Sequence, residues 1–286
     1  MIVGSRGSAL ALAQTRIVAD ALGGDFELKV IRTAGDRSAK PIRELEDGAF
    51  VAAIERALRH GEIDLAVHSL KDLPTTPVED LVVAAIPPRD DPRDALITRS
   101  RGGLADLPRG AVVGTSSPRR VVLLRAHRPD AVTREIRGNV DTRLRKVRDG
   151  EYDAVILAMA GLRRLGFAVS EAEALDVHDF PPAPGQGALA VQVRADHASL
   201  RTRVSRALDH RETRRAVSAE RALLALLGAS CDLALGAYGT VDGDAIVLEA
   251  ALERDGALAR ARARASNPET CARLLAGLLG SHVHAR

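Results

Sequence analysis

Short apolar runs alternate along this chain with stretches of helical period. Ile2-Val3-Gly4 reads as a first strand, and Leu10, Ala13, Ile17, Val18 and Ala21 then recur as one helix face. Phe26 to Thr33 alternates like a strand. Ala34 to Asp47 is polar and charged and reads as a mobile loop. Gly48-Ala49-Phe50 leads into a helix, Val51 to His60. Leu65-Ala66-Val67 and Leu81 to Ile86 are further strands. The stiff segment Pro87-Pro88-Arg89-Asp90-Asp91-Pro92-Arg93-Asp94 then marks a lobe boundary. The same alternation resumes with strands at Ala111–Val113, Ala131–Ile136 and Tyr152–Leu157 and helices at Val140–Val147 and Ala158–Leu165. Phe180 to Gly187 is a second Pro/Gly crossing, after which Ala188 to Val193 reads as a strand returning to the first lobe. A helix from Thr213 to Leu227, strands at Tyr238–Val241, Ala245–Leu252 and Leu258–Ala265, and a helix from Asn267-Pro268 to Leu279 predict an α+β end with an antiparallel sheet. The pattern therefore predicts two α/β lobes joined by two crossings, like a hinge, and a third domain.

Ionisable residues gather where strands end, the edge at which open α/β sheets bind ligands. Asp64 to Pro74 delivers His68, Ser69, Lys71 and Asp72 to such an end, and a carboxylate beside an ammonium suits chemistry in which positive charge develops on a substrate. Taken alone, a solvated Lys-Asp pair in a turn explains it as well. Arg6 follows the first strand in a small-residue turn with Ser8 as candidate N-cap. Gly114-Thr115-Ser116-Ser117-Pro118 is an anion-cradling type of turn with Ser117 at the N-cap and Pro118 at N1. Arg119 and Arg120 in the next helical turn oppose the helix dipole, which argues for a bound anion. Arg137-Gly138-Asn139 and Arg143 repeat the arrangement. Two facing lobes with guanidinium groups at their strand ends predict a ligand carrying several carboxylates or phosphates.

Composition narrows this picture. The 286 residues are 46% hydrophobic and 28% charged, with a net charge of +3, as expected for a soluble globular protein of two or three domains. Aromatics are 2% with no Trp, so stacking platforms for single-stranded nucleic acid are few. No apolar run reaches membrane-spanning length, and the N-terminus enters a strand at once, without a signal peptide. Cys231 and Cys271 form no Cys-x-x-Cys pair, and the eight His show no metal spacing, so a cytoplasmic protein with free thiols and no metal is expected. Cys231, in a loop of Gly, Ala and Ser, reads as an accessible thiol able to carry a covalent group; Cys271 reads as a buried one.

Several motifs in order carry a resemblance: Ser5-Arg6-Gly7-Ser8, Ala66-Val67-His68-Ser69-Leu70-Lys71-Asp72, Asp90-Asp91-Pro92-Arg93-Asp94-Ala95, Gly114 to Arg120, Arg137-Gly138-Asn139-Val140-Asp141-Thr142-Arg143, Pro184-Gly185-Gln186-Gly187 and Glu220-Arg221. With the loop cysteine, the chain resembles the porphobilinogen deaminase (hydroxymethylbilane synthase) family essentially end to end. The resemblance implies two hinged lobes like a type II periplasmic binding protein, residues 1–87 with 187–207 and residues 93–181, and a third domain, 211–286, that carries the cofactor cysteine. It implies the head-to-tail joining of four porphobilinogens into 1-hydroxymethylbilane with release of ammonia, in tetrapyrrole and heme biosynthesis. The implied cofactor is dipyrromethane, held by a thioether at Cys231. Asp72 would be the catalytic carboxylate that stabilises a cationic azafulvene. Lys71, Ser69, Thr115, Ser117, Arg119, Arg120, Arg137, Asn139 and Arg143 would bind the cofactor. Arg6, Gln14, Phe50, Arg137 and Arg143 would bind substrate. No nucleic acid or membrane partner is implied, and a monomer is expected.

The sequence departs from the family pattern at Asp47, where many members have Lys, at Ser230 before the cysteine, and at Ala234, where a proline is usual and whose loss should loosen the loop. Two other functions fit parts of the pattern. A non-catalytic two-lobe binding protein for a polyanionic small molecule explains the Arg cleft but gives Cys231 no role. A nucleic-acid or phosphate binder leaves the Asp72 turn unexplained.

Overall fold

The computed structural model describes residues 1–32, 51–100, 102–228 and 233–283. The first sheet runs in the order β2 (Glu27–Val30), β1 (Ile2–Ser5), β3 (Leu65–Ser69), β10 (Leu189–Arg194), β4 (Leu81–Ala85). Strands β2, β1 and β3 are parallel, whereas β10 is antiparallel to both neighbours, β3 and β4. The second sheet has the order β7 (Val132–Arg134), β6 (Val112–Gly114), β8 (Ala154–Ala158), β5 (Asp94–Thr98), β9 (Glu173–Ala174). Here β7, β6 and β8 are parallel and β5 is antiparallel. Each sheet thus takes its antiparallel strand from the chain just after a crossing: β5 after Pro87–Arg93, β10 after Phe180–Ala188. Two extended segments side by side can bend together, which is the geometry of a hinge.

Helices cover the sheets because the central strands β3 and β8 are buried along nearly their whole length. Against the first sheet, α1 (Ala9–Leu22), α2 (Ala52–Arg59) and α6 (Ala198–Leu208) bury Val18, Ile54, Leu58 and Val204. Helix α1 begins where Ser8 Oγ accepts from Ala11 N at 3.3 Å, a cap worth about 1 kcal/mol. Its buried face is Gln14, Thr15, Val18, Ala19 and Leu22. The expected face through Ile17 and Ala21 is corrected: both are solvent-exposed, because the helix is rotated to bring Gln14 onto β3. Helices α3 (Pro118–His127), α4 (Val140–Arg148) and α5 (Met159–Arg164) serve the second sheet. Pro118 stands at N1 as expected, but Ser117 makes no side-chain capping bond; its backbone N–H instead donates to Thr115 Oγ1.

The third domain is an antiparallel sheet, β11 (Leu235–Asp242), β12 (Ala245–Arg254) and β13 (Ala257–Ala265), packed on α7 (Arg211–Leu226) and α8 (Pro268–Val283). Leu223, Leu248, Leu275 and Cys271 form its core, and the free Cys271 thiol is fully buried. Strands β5 and β9 and helix α6 are elements beyond those the periodicity marked. The Ala34–Asp47 loop lies outside the described residues, as do Phe50, Ser230 and Cys231. Among the described residues no helix is long and apolar enough to cross a membrane.

Candidate active site

Strand β3 buries Leu65 through His68 and ends at Ser69, where one turn of 3-10 helix, Leu70–Asp72, follows. The turn forms because Leu70 and Leu73 both drop into a core with Val51 and Val217, which leaves Lys71 and Asp72 on the open side. Gln14, 4% exposed, donates from Nε2 to Ser69 Oγ at 3.0 Å and so fixes the strand end against α1. Arg6 lies just beyond β1. His68 is enclosed beneath the site; burial, with the Arg6 charge nearby, pushes its pKa down to about 4, so its ring is neutral at pH 7.

Lys71 Nζ donates to Gln186 Oε1 at 3.3 Å. Gln186 is almost fully buried in the second crossing, and its Nε2 donates to Asp94 Oδ1 and to the Pro92 carbonyl, each at 2.8 Å. Asp94, fully buried at the start of β5, accepts from Arg119 Nη1 at 2.6 Å and from Arg120 Nη2 at 2.7 Å. Arg119 Nη1 also reaches the Pro181 carbonyl, and Arg120 Nη1 that of Ile156. This revises the argument from the helix start. The anion that Arg119 and Arg120 answer in this structure is the chain's own Asp94 carboxylate. Burial alone would raise Asp94, but the two guanidiniums outweigh it and hold it well below the usual carboxylate range.

Lys71 is solvent-exposed, with the charges of Asp72, Arg120, Asp94 and Arg119 near it. The surrounding protein depresses its ammonium to about 8, the nearby carboxylates offsetting part of that desolvation, and the water it retains tempers the depression.

On the facing lobe, Thr115 is buried with its hydroxyl accepting from Ser117 N at 3.2 Å. Ser116 Oγ donates to the Ile136 carbonyl at 2.7 Å, which ties the end of β6 to the segment carrying Arg137. Arg137 Nε meets Glu135 Oε1 at 3.3 Å, and Arg143 Nε donates to the Gly138 carbonyl at 2.8 Å. Burial, then the charges of Arg120 and Arg137, lower the Arg143 pKa. Asn139 occupies the N-cap of α4 without a side-chain capping bond and is exposed. Lys71, Arg119, Arg120, Arg137 and Arg143 therefore share one region, where Asp72, Asp94 and Glu135 do not balance them. Arg119 Nε is buried with no hydrogen-bond partner among the described residues. An orphaned guanidinium N–H within a surplus of positive charge fits a ligand rich in carboxylates.

The sequence reading missed four residues that hold this arrangement: Asp94, Gln186, Glu220 and Arg221. Glu220, fully buried on α7, accepts from both Nη atoms of Arg89 (2.6 and 3.1 Å), from Gly185 N (2.7 Å) and from Gly239 N (2.8 Å). Both crossings and the third domain meet at this carboxylate. Gly185 and Gly187 have φ of +78° and +86°, and a Cβ on Gly187 would lie 2.6 Å from the Asp90 carbonyl, so glycine is required for the two crossings to touch. All four lie within the quoted motifs, but the motifs gave no signal of their partners. Among the described residues no cluster of His, Cys, Asp and Glu could hold a metal.

The model of the porphobilinogen deaminase dipyromethane cofactor-binding domain matches residues 1–202. Porphobilinogen deaminase of Roseiflexus sp. strain RS-1 is 46% identical over 93% of this chain and 90% of its own. Porphobilinogen deaminase 1 of Streptomyces coelicolor is 51% identical over 85% of this chain and 78% of its own. Among solved structures, the second substrate-binding domain of a putative amino acid ABC transporter from Streptococcus pneumoniae aligns over 72% of this chain and 90% of its own, at 13% identity and a TM-score of 0.43, a likeness too slight to bear on function. With a family model covering most of its length and relatives near half identity, the chain belongs to the porphobilinogen deaminase family.

Proposed function

We propose that this protein joins four porphobilinogen molecules head to tail into 1-hydroxymethylbilane, releasing ammonia at each step, and that the Asp72 turn and the Arg-lined strand ends are where it does so. The observation that carries the site assignment is the convergence of Lys71 and Asp72 from one lobe with Arg119, Arg120 and Arg143 from the other. Each pyrrole unit brings two carboxylates, so an elongating chain needs a cleft in which cations exceed the anions that answer them. Asp72, exposed at the open side of its turn, is the group that faces positive charge developing on the substrate and that takes part in proton transfer at its pyrrole nitrogen. Arg6, Gln14 and Phe50 complete the substrate side, with Arg137 and Arg143 shared between substrate and cofactor.

The cofactor of the family is dipyrromethane, which supplies the primer on which the product chain is built. Cys231 is the attachment point in our reading, with Lys71, Ser69, Thr115, Ser117, Arg119, Arg120, Arg137, Asn139 and Arg143 holding the carboxylates. The orphaned Arg119 Nε and the positive surplus around it support that assignment. We further read residues 1–87 with 187–207, 93–181 and 211–286 as the three domains, a division the sheet pairings support. A thiol that must stay reduced to form a thioether suits the cytoplasm, and we expect a monomer there, to be checked by light scattering.

The test is an intact mass beside a Cys231→Ser variant. A wild type heavier by two porphobilinogens less two ammonia molecules, with the variant lacking that increment, supports the reading. Both proteins at the bare polypeptide mass after incubation with porphobilinogen would sink it. The two-lobe binding protein for a polyanion would then be the better account.

A further inference from the structure

Arg221 follows Glu220 on α7 and points to a different partner. Its Nη1 donates to the carbonyls of Leu70 (3.1 Å) and Leu73 (2.9 Å), and its Nη2 to that of Pro74 (2.7 Å). All three acceptors belong to the turn that presents Lys71 and Asp72. Among the described residues Arg221 makes no ion pair with a carboxylate. This half-buried guanidinium is spent on backbone oxygens at the end of a single short helical turn rather than on an acid; the Leu70 carbonyl also accepts from Leu73 N at 3.2 Å. The turn is held on its other sides by the bond from Leu70 N to the Ala188 carbonyl and by the close approach of Gly185, whose Cβ position lies 3.3 Å from Lys71 N. Neither of those contacts reaches the Leu73–Pro74 end, where Leu73 packs in the core beside Val217 of α7 and Arg221 supplies the hydrogen bonds. Helix α7 runs on from Arg221 to Leu226, and the chain reaches Cys231 five residues later.

We propose that Arg221 is a positioning residue for the reaction: it holds the Leu70–Pro74 turn, with Lys71 and Asp72 on it, in fixed register with the helix that leads to the Cys231 loop. This rests on the reading of Asp72 and Cys231 given above. Arg221 touches no reacting atom in this scheme. It acts through the turn, whose carboxylate must keep its place while the growing chain moves past. Loosening one end of a three-residue turn displaces Asp72 by a fraction of its length, and errors of about 1 Å in a catalytic group cost up to about a hundredfold in rate.

The experiment compares Arg221→Gln and Arg221→Lys holoenzymes with Asp72→Asn and the wild type. Cofactor content is read by intact mass, kcat and KM with porphobilinogen, thermal midpoint, and amide exchange at Lys71, Asp72 and Leu73. The glutamine variant is expected to keep its cofactor mass and midpoint, to lose about tenfold or more in kcat with KM within about twofold, and to exchange faster at those three amides only. The lysine variant, with one donor centre in place of the fork, is expected to recover part of kcat. Wild-type kcat in both variants overturns the proposal, and so does a loss that comes with missing cofactor or with faster exchange throughout the protein. If the glutamine variant does not fold, the lysine variant decides by the same criteria: local exchange with lowered kcat supports the proposal, wild-type values overturn it. Asp72→Asn separates this idea from the reading beneath it. Full activity in that variant sinks the role of Asp72 itself, whereas an inactive Asp72→Asn beside an unimpaired Arg221→Gln sinks only Arg221.

Discussion

Gln186 Nε2 donates to Asp94 Oδ1 across 2.8 Å, and the oxygen of the same amide takes the Lys71 ammonium from the opposite lobe. One neutral side chain thus couples the turn beside Asp72 to the carboxylate that holds two arginines. Replacing Gln186 with Leu removes both ends of that link and leaves the half-buried Pro92 carbonyl without its donor. We expect a stability loss of about 1–3 kcal/mol in denaturant unfolding, together with a lowered kcat. Unchanged values of both would show that the link is incidental.

Lys71 sets an alkaline limit. Desolvation by the surrounding protein holds its folded-state pKa below that of an ordinary lysine, so the ammonium is present at neutral pH and is lost earlier than usual as pH rises into the alkaline range. Activity that needs the cation falls across the same range. Lys71→Arg keeps the charge and should move the fall to markedly higher pH. A pH–rate profile of the two proteins checks this; an unmoved limb in the arginine variant would assign it to another group.

Asp94→Asn leaves Arg119 and Arg120 buried without their carboxylate. Breaking one partner of a buried ion cluster costs about 3–5 kcal/mol. The sign of the pH effect follows from the depressed folded-state pKa. Asp94 contributes stability above the unfolded value of about 3.9, and this is lost as pH falls toward the folded value. Unfolding free energies measured below about pH 4 should therefore fall more steeply for wild type than for the variant.

His68 acts in the same direction at a higher pH. Its folded pKa of about 4 lies below the unfolded value of about 6.5, so the unfolded chain takes up the proton first. Stability contributed by the neutral ring is complete above the unfolded value and declines as pH falls toward the folded one. His68→Gln should flatten that part of the stability curve, as read from urea unfolding at neutral pH and near pH 5. A curve of unchanged slope would mean that His68 is not the group responsible.

Much of this arrangement was legible in the order of residues, because strands and helices advertise themselves by period. The run Leu65-Ala66-Val67 had to be a buried strand, and Pro74 had to end what followed, so Lys71 and Asp72 were bound to stand at a strand end. Pro118 at N1 and Ser8 at a cap fixed two helix starts by local chemistry alone. Other features were hidden for physical reasons. Strand β5 carries only five residues after a proline-rich crossing, and its pairing partners, β8 and β9, lie more than fifty residues further along the chain. The face of α1 was misjudged because Gln14, a polar residue, is drawn inward by Ser69 while Ile17 is left outside.

The sequence by itself determined the alternation of elements, the two crossings, the residues that gather at strand ends and the family those motifs resemble. These rest on local periodicity and on residue types in fixed order, which a linear chain carries in full. Only the tertiary structure decided which charge answers which. Arg119 and Arg120 looked outward for an anion until Asp94, more than twenty residues earlier, was found buried between them. Glu220 and Arg221 stood side by side in sequence, and folding sent one to the junction of the crossings and the other to the Asp72 turn. Such pairings depend on distances across the fold, and no short-range pattern encodes them.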